Sequence, residues 1–147
     1  PDAPDVSVQE YDREILLYLS NENGLFNNYH ESYHLLDPSI PEWKNDTTLF
    51  TEYERSYAFE GYLVYQLKDE TVSPDQLNDI TKARLVAQCD VENEVDDIVN
   101  FYIDPTINEI VPSLMVQGEN KGIRHSFQVK NDLFAQGDNR LVNHKTY

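Results

Sequence analysis

Apolar residues in this chain recur at every second position, in runs too short to make anything but strands. Glu14 to Leu19 sets Ile15, Leu17 and Leu19 against Glu14, Leu16 and Tyr18, and side chains two apart share one face of an extended backbone. Tyr57 to Leu67 (YAFEGYLVYQL) is the strongest such run. Aromatic and β-branched residues fill both of its faces, as in a central strand, and Gly61 inside it predicts a bulge or a close backbone approach. Arg84 to Val91 places Leu85, Ala87, Cys89 and Val91 on one face; Ile123 to Lys130 does the same with Ile123, His125, Phe127 and Val129. Val6-Ser7-Val8 follows a Pro- and Asp-rich lead-in and reads as an edge strand, and Leu141 to Tyr147 as the opening of one more. Polar breaks at Ser20–Gly24, Gln117–Gly122 and Asn131–Asn139 separate these runs. Between Val91 and Ile123 the pattern is weaker. Acidic residues surround Val95, Ile98 and Val99 ahead of Phe101-Tyr102-Ile103, Asp104-Pro105 interrupts, and Ile110 to Val116 is a short, Pro-broken apolar stretch.

Residues 21–56 are the least strand-like part and read as a long insertion between the second and third strands. Within them Asn28 and Glu31 have the spacing of a capping box, which predicts a short helix carrying Tyr29, Tyr33 and Leu36 on one face and ending at Asp37-Pro38. Ser73-Pro74-Asp75-Gln76 opens a second helical turn. Short strands, polar turns and no long amphipathic helix predict an all-β fold: an antiparallel two-sheet sandwich with a long loop insertion and short helical turns. A chain of 147 residues suits one such domain.

Charge narrows the partners. With 27 acidic against 11 basic residues the formal net charge is −16, so phosphate backbones and anionic lipid surfaces are repelled and nucleic-acid binding is excluded. The apolar runs are only a few residues long, which excludes a membrane-embedded helix. Cys89, the one cysteine, forms no internal disulfide and sits in an apolar run as a small hydrophobe.

Several constellations bear on chemistry. His30-Glu31-Ser32-Tyr33-His34 matches H-E-x-x-H, in which two histidines one helical turn apart grip zinc and the glutamate polarises water. The continuation argues against it, since Pro38 ends the helix early and no third ligand has the right spacing. Calcium is the other ion considered: Ser20-Asn21-Glu22-Asn23-Gly24 sets oxygen donors before a glycine, but Leu19 and His30 stand where an EF-hand needs acids. No Gly-rich phosphate loop or Ser-His-Asp arrangement is present, so no catalytic residue is assigned. Tyr29, Tyr33, Trp43, Phe50 and Tyr53 cluster in the insertion as candidate contacts to a partner or to the face of a sugar. They serve equally as a satellite core along the sandwich flank.

The order of the pieces resembles a fibronectin type III or immunoglobulin-like module. PDAPDVSV is similar to its first strand, REILLYLS to its second, FEGYLVYQLKD to its third and LVNHKTY to the start of its sixth. FEGYLVYQLKDETVS, KARLVAQCD, GIRHSFQV and LVNHKTY are further similar to modules of large exported Bacteroidota surface proteins, which often use type IX secretion. The resemblance implies one incomplete sandwich over residues 1–147, its last strands missing, in a secreted or cell-surface protein. It implies a non-catalytic structural or adhesive role, with other domains of the same protein or surface and secretion machinery as partners and no cofactor. A carbohydrate- or calcium-binding accessory module is the alternative, and a zinc metallopeptidase fragment a more distant one.

Overall fold

A computed structural model of the chain describes residues 1–37, 48 and 55–147. It is all-β and antiparallel. The strands are β1 (Asp5–Tyr11), β2 (Glu14–Ser20), β3 (His34–Leu36), β4 (Ser56–Ala58), β5 (Gly61–Leu67), β6 (Ala83–Asp90), β7 (Asp97–Asp104), β8 (Glu109–Gln117) and β9 (Ser126–Val129). One sheet has the order β1-β2-β9, and β3–β4, β5–β6 and β7–β8 form two-stranded pairs.

Two of these layers face each other. Period-two alternation puts Leu17 and Leu19 of β2 on the inner face, with Phe127 of β9 opposite Leu17. Tyr62 and Cys89, paired across β5 and β6, meet them from the other layer, with Val64 and Ala87 beside. Leu19, Tyr62, Cys89 and Phe127 form the buried cluster, and the sandwich expected from the alternation is built around it. Cys89 Sγ accepts from the Arg124 amide at 3.3 Å and packs as a small hydrophobe.

The β1–β2 hairpin turns on Asp12 and Arg13, the latter with φ 57°. Asn143 clips that turn, accepting the Arg13 amide at 2.9 Å and donating to Asp12 at 2.7 Å. Asn143 belongs to the segment expected to open a strand; Leu141–Tyr147 instead forms no strand. Leu141 is buried, its amide donates to Lys130 O at 3.0 Å, and Lys145 Nζ lies 2.6 Å from the buried Asp132 carboxylate. After one isolated antiparallel bridge, Asn131 with Arg140, the later anchors hold the backbone out of a regular strand.

Three further expectations change. The run from Tyr57 to Leu67 is two strands, because the chain leaves β4 at Phe59, whose amide donates to Tyr33 O at 2.9 Å, and re-enters a sheet at Gly61. Gly61 has φ 153°, and a Cβ there would lie 2.7 Å from Asp90 Cα, so the close approach expected of it is present. The helix expected over 28–36 is a single 3-10 turn, Tyr29–Glu31, followed by β3, which pairs with β4. The insertion is therefore partly sheet. The turn at Pro74–Gln76 does form, with the Ser73 amide donating to Gln76 Oε1 at 3.4 Å.

In β6 a register shift lies opposite Val64/Tyr65, where Val64 pairs with Ala87 and Tyr65 with Leu85. Val86 is the extra residue, so the inner face changes parity. Leu85 turns to the outer face and is 44% exposed. Half-buried Gln66 and exposed Arg84 pair next along the strands and meet the 131–139 loop: Leu133 N donates to Gln66 Oε1 at 2.6 Å, and the Arg84 guanidinium lies over the Phe134 ring at 4.5 Å.

The longest hairpin, β7–β8, arises from the stretch of weakest pattern. Its turn is set by Asp104, whose Oδ1 accepts the Thr106 amide at 2.8 Å and hydroxyl at 2.5 Å, with Asn108 at φ 54°. Its base is held by two asparagines. The Asn93 amide donates to Asn120 Oδ1 at 2.7 Å, and Asn120 Nδ2 returns a bond to Asn93 O. Asn93 Nδ2 also reaches Glu60 at 2.9 Å, and the Asn120 amide reaches Asp90 at 2.9 Å, tying the hairpin to the ends of β5 and β6.

The bulge makes a test. Leu85→Lys is expected to change stability by less than about 1 kcal/mol, and Ala87→Lys to cost about 2–4 kcal/mol, in urea unfolding. Equal losses would mean that Leu85 and Ala87 share a face after all.

Candidate functional site

The residues singled out in the insertion do not converge. Trp43, Phe50 and Tyr53 lie outside the described residues. Tyr29 is exposed, its ring stacked on His30 with centroids 3.8 Å apart. Tyr33 is half-buried; its amide donates to Oδ1 of the fully buried Asn28 at 3.1 Å. That bond uses the side chain expected to cap a helix. His30 has φ 51° within the 3-10 turn, and its Nε2 lies 2.8 Å from Glu22 Oε2. His34 is in β3, opposite Ala58. The helical face that would bring these two imidazoles onto one zinc ion is therefore replaced by a turn and a strand.

Two of the expected calcium donors, Ser20 Oγ and Asn23 Oδ1, are used within the loop, whereas buried Asn21 Oδ1 has no hydrogen-bond partner among the described residues. Asn23 Oδ1 accepts the Leu25 amide at 3.1 Å, Ser20 Oγ accepts the Glu22 amide at 3.3 Å, and buried Asn21 donates to the Tyr62 hydroxyl. Among the described residues no three His, Cys, Asp or Glu side chains cluster as metal ligands.

Glu31 has a role that its place in the motif did not suggest. The Tyr62 hydroxyl donates to Glu31 Oε1 at 2.5 Å, and His125 Nε2 lies 2.6 Å from the same oxygen. The His125 ring meets the Tyr62 ring edge-on at 6.2 Å. Burial pushes the Tyr62 phenol well above its ordinary value, and the hydrogen bond and charge of Glu31 push it further. A phenol held protonated against a carboxylate is a structural latch between the insertion and the core.

The outward surface is the β7–β8 ribbon. Cross-strand pairs place Val99 with Leu114, Phe101 with Pro112 and Ile103 with Ile110 on one face. Asn100 with Ser113 and Tyr102 with Val111 define the other. At Asn100 and Ser113 the second face turns toward the body, the Tyr57 hydroxyl donating to Asn100 Oδ1 at 2.5 Å, while Tyr102 further along it is 51% exposed. The first face points to solvent and is the apolar one, with Val99 41%, Ile103 63%, Ile110 56% and Leu114 54% exposed. The sequence signal for it was period-two spacing of apolar residues, hidden by Pro112 and the flanking acids. Residues 90–117 hold seven acidic side chains and no basic one.

An all-β sandwich with an apolar stripe along one projecting hairpin is the class that fold and surface define. Comparison with models of known protein families, with curated proteins and with solved structures finds no match.

Because the folded state holds Tyr62 protonated, its contribution to stability is complete below the ordinary tyrosine value of 10.0 and is lost as pH rises beyond it toward the raised folded value. Tyr62→Phe is expected to lower stability at neutral pH by about 1–2 kcal/mol and to flatten the alkaline loss. Unfolding by denaturant across alkaline pH checks this; an unchanged alkaline slope in the variant would contradict it.

Proposed function

We propose that this chain is a non-catalytic interaction module of a larger secreted or cell-surface protein, and that its contact surface is the outward face of the β7–β8 ribbon. The observation that carries the reading is the apolar stripe on the outward face of that hairpin, where the pairs Val99–Leu114 and Ile103–Ile110 are exposed. A two-stranded ribbon is marginal on its own in water, and a contiguous exposed apolar patch marks a place where something binds. Strand edges on such a ribbon add main-chain hydrogen bonds to the contact.

The resemblance to fibronectin type III and immunoglobulin-like modules of exported Bacteroidota proteins belongs to the same proposal. Its support is the sheet order β1-β2-β9, which matches the A-B-E order of such sandwiches, with β5 in the place of strand C. Partners are then neighbouring domains of the same protein or components of the surface and secretion machinery.

A photo-crosslinking residue, p-benzoylphenylalanine, at Ile103 of the parent protein in its own cells tests this. A discrete protein adduct is expected there, absent when the same residue replaces Leu25, which is 92% exposed. The adduct should disappear in a Leu114→Asp background. No adduct at Ile103, or the same adducts from Leu25, would refute the assignment of the surface.

A further inference from the structure

Three carboxylates frame the apolar stripe on the outward face of the ribbon. Asp97 stands in the same alternate row of β7 as Val99 and Ile103, two positions before Val99. Asp104 and Glu109 face each other across the strands at the far end, directly beyond the pair Ile103–Ile110. Asp97 and Asp104 are the two ends of β7 and lie about 23 Å apart along its extended backbone.

None of these charges meets a cation among the described residues. Asp97 and Glu109 are exposed, and Asp104 is half-buried. The ion pairs of His30, Lys121, His125, Lys130, Arg140 and Lys145 all lie elsewhere. Asp104 Oδ1 is held by the Thr106 amide and hydroxyl, both neutral donors, and the hydroxyl keeps the carboxyl below its ordinary value. Like charges directly opposite on neighbouring strands repel, and Asp104 with Glu109 is such a pair.

We infer that the partner of this ribbon is a protein surface with an apolar groove bounded at both ends by Lys or Arg side chains, the two basic ends about 23 Å apart. The inference rests on the ribbon being the contact surface and adds the chemistry of the other side. Basic ends relieve the repulsion between Asp104 and Glu109 and steer the approach, while the stripe fills the groove. A second copy of this chain brings the same acids to the contact and is repelled. An anionic lipid surface is repelled for the same reason.

Photo-crosslinking from Ile103 of the parent protein in its own cells tests this when charge is the variable. Asp97→Lys/Glu109→Lys keeps the stripe and the Asp104–Thr106 turn, and should cut the Ile103 adduct about tenfold. The neutral pair Asp97→Asn/Glu109→Gln should cut it about threefold and gives the answer if the reversed variant folds poorly. Glu10→Lys/Glu70→Lys makes the same change of net charge at exposed positions off the ribbon, and should leave the adduct at its original level. In the partner, the cross-linked peptide located by mass spectrometry should carry apolar residues with Lys or Arg beside them. An adduct unchanged by both ribbon variants overturns the inference. So does an equal loss in Glu10→Lys/Glu70→Lys, or a cross-link to a second copy, to lipid or to an acidic stretch of protein. Absence of any adduct from Ile103 with the original charges removes the surface assignment itself, and this inference with it.

Discussion

Everything else in this fold depends on the contact of Tyr62 and Cys89 with Leu19 and Phe127 across the two layers. Four side chains make a thin core, and burying a large apolar side chain stabilises by only about 1.5–3 kcal/mol. The remaining elements are held mainly by hydrogen bonds that radiate from it. The Tyr62 hydroxyl latches Glu31 and so fixes the start of the insertion. Asp90 and Glu60, at the adjoining ends of β6 and β5, hold the Asn93–Asn120 clamp that positions the ribbon. Gln66, at the other end of β5, holds the 131–139 loop. In that loop Asp132 is kept ionised, its carboxyl lowered chiefly by the hydrogen bond from Lys145, with Gln66 assisting against burial. Removing the aromatic centre would thus loosen three peripheral regions together.

That arrangement separates a rigid part from an unfinished one. The inner faces of β2, β5, β6 and β9 are used up by the core, whereas on the outer face of β7–β8 the apolar Val99, Ile103, Ile110 and Leu114 are exposed. Selection for solubility normally places charge on such a face, and here the charges sit at its ends, in Asp97, Asp104 and Glu109. The acidic flanks oppose self-association through like-charge repulsion while leaving the stripe open to a partner of other charge. Structure and charge together suit a module that presents one hairpin and keeps the rest of itself inert.

How much of this was legible in the sequence follows from which forces are local. Alternation in Ile15–Leu17–Leu19, Tyr62–Val64 and Phe127 is a period-two signal and survives in the structure. So does the turn at Ser73–Gln76, whose bonds lie within four residues. The bulge at Val86 leaves no trace in the hydropathy of β6, and it reverses Leu85. The capping spacing of Asn28 and Glu31 was a genuine local signal that tertiary partners outbid: Asn28 went to Tyr33, Glu31 to Tyr62 and His125, and His34–Leu36 to β4. Leu141–Tyr147 has the composition of a strand and, among the described residues, no neighbouring strand to pair with it. The ribbon was obscured because its pattern, read for a buried face, pointed the wrong way. Of the candidate contact residues, Tyr29 stacks on His30 at the surface and Tyr33 is held by Asn28, a difference in role that their spacing alone does not show.

Amide hydrogen exchange, read residue by residue on the isolated chain, tests the division into core and ribbon most directly. If the account is right, the slowest amides lie in β2, β5, β6 and β9, and those of β7 and β8 exchange well before them, through opening of the hairpin alone. Protection of β7 and β8 equal to that of β2 would mean that the ribbon is part of the core, and would contradict the claim that its outward face awaits a partner.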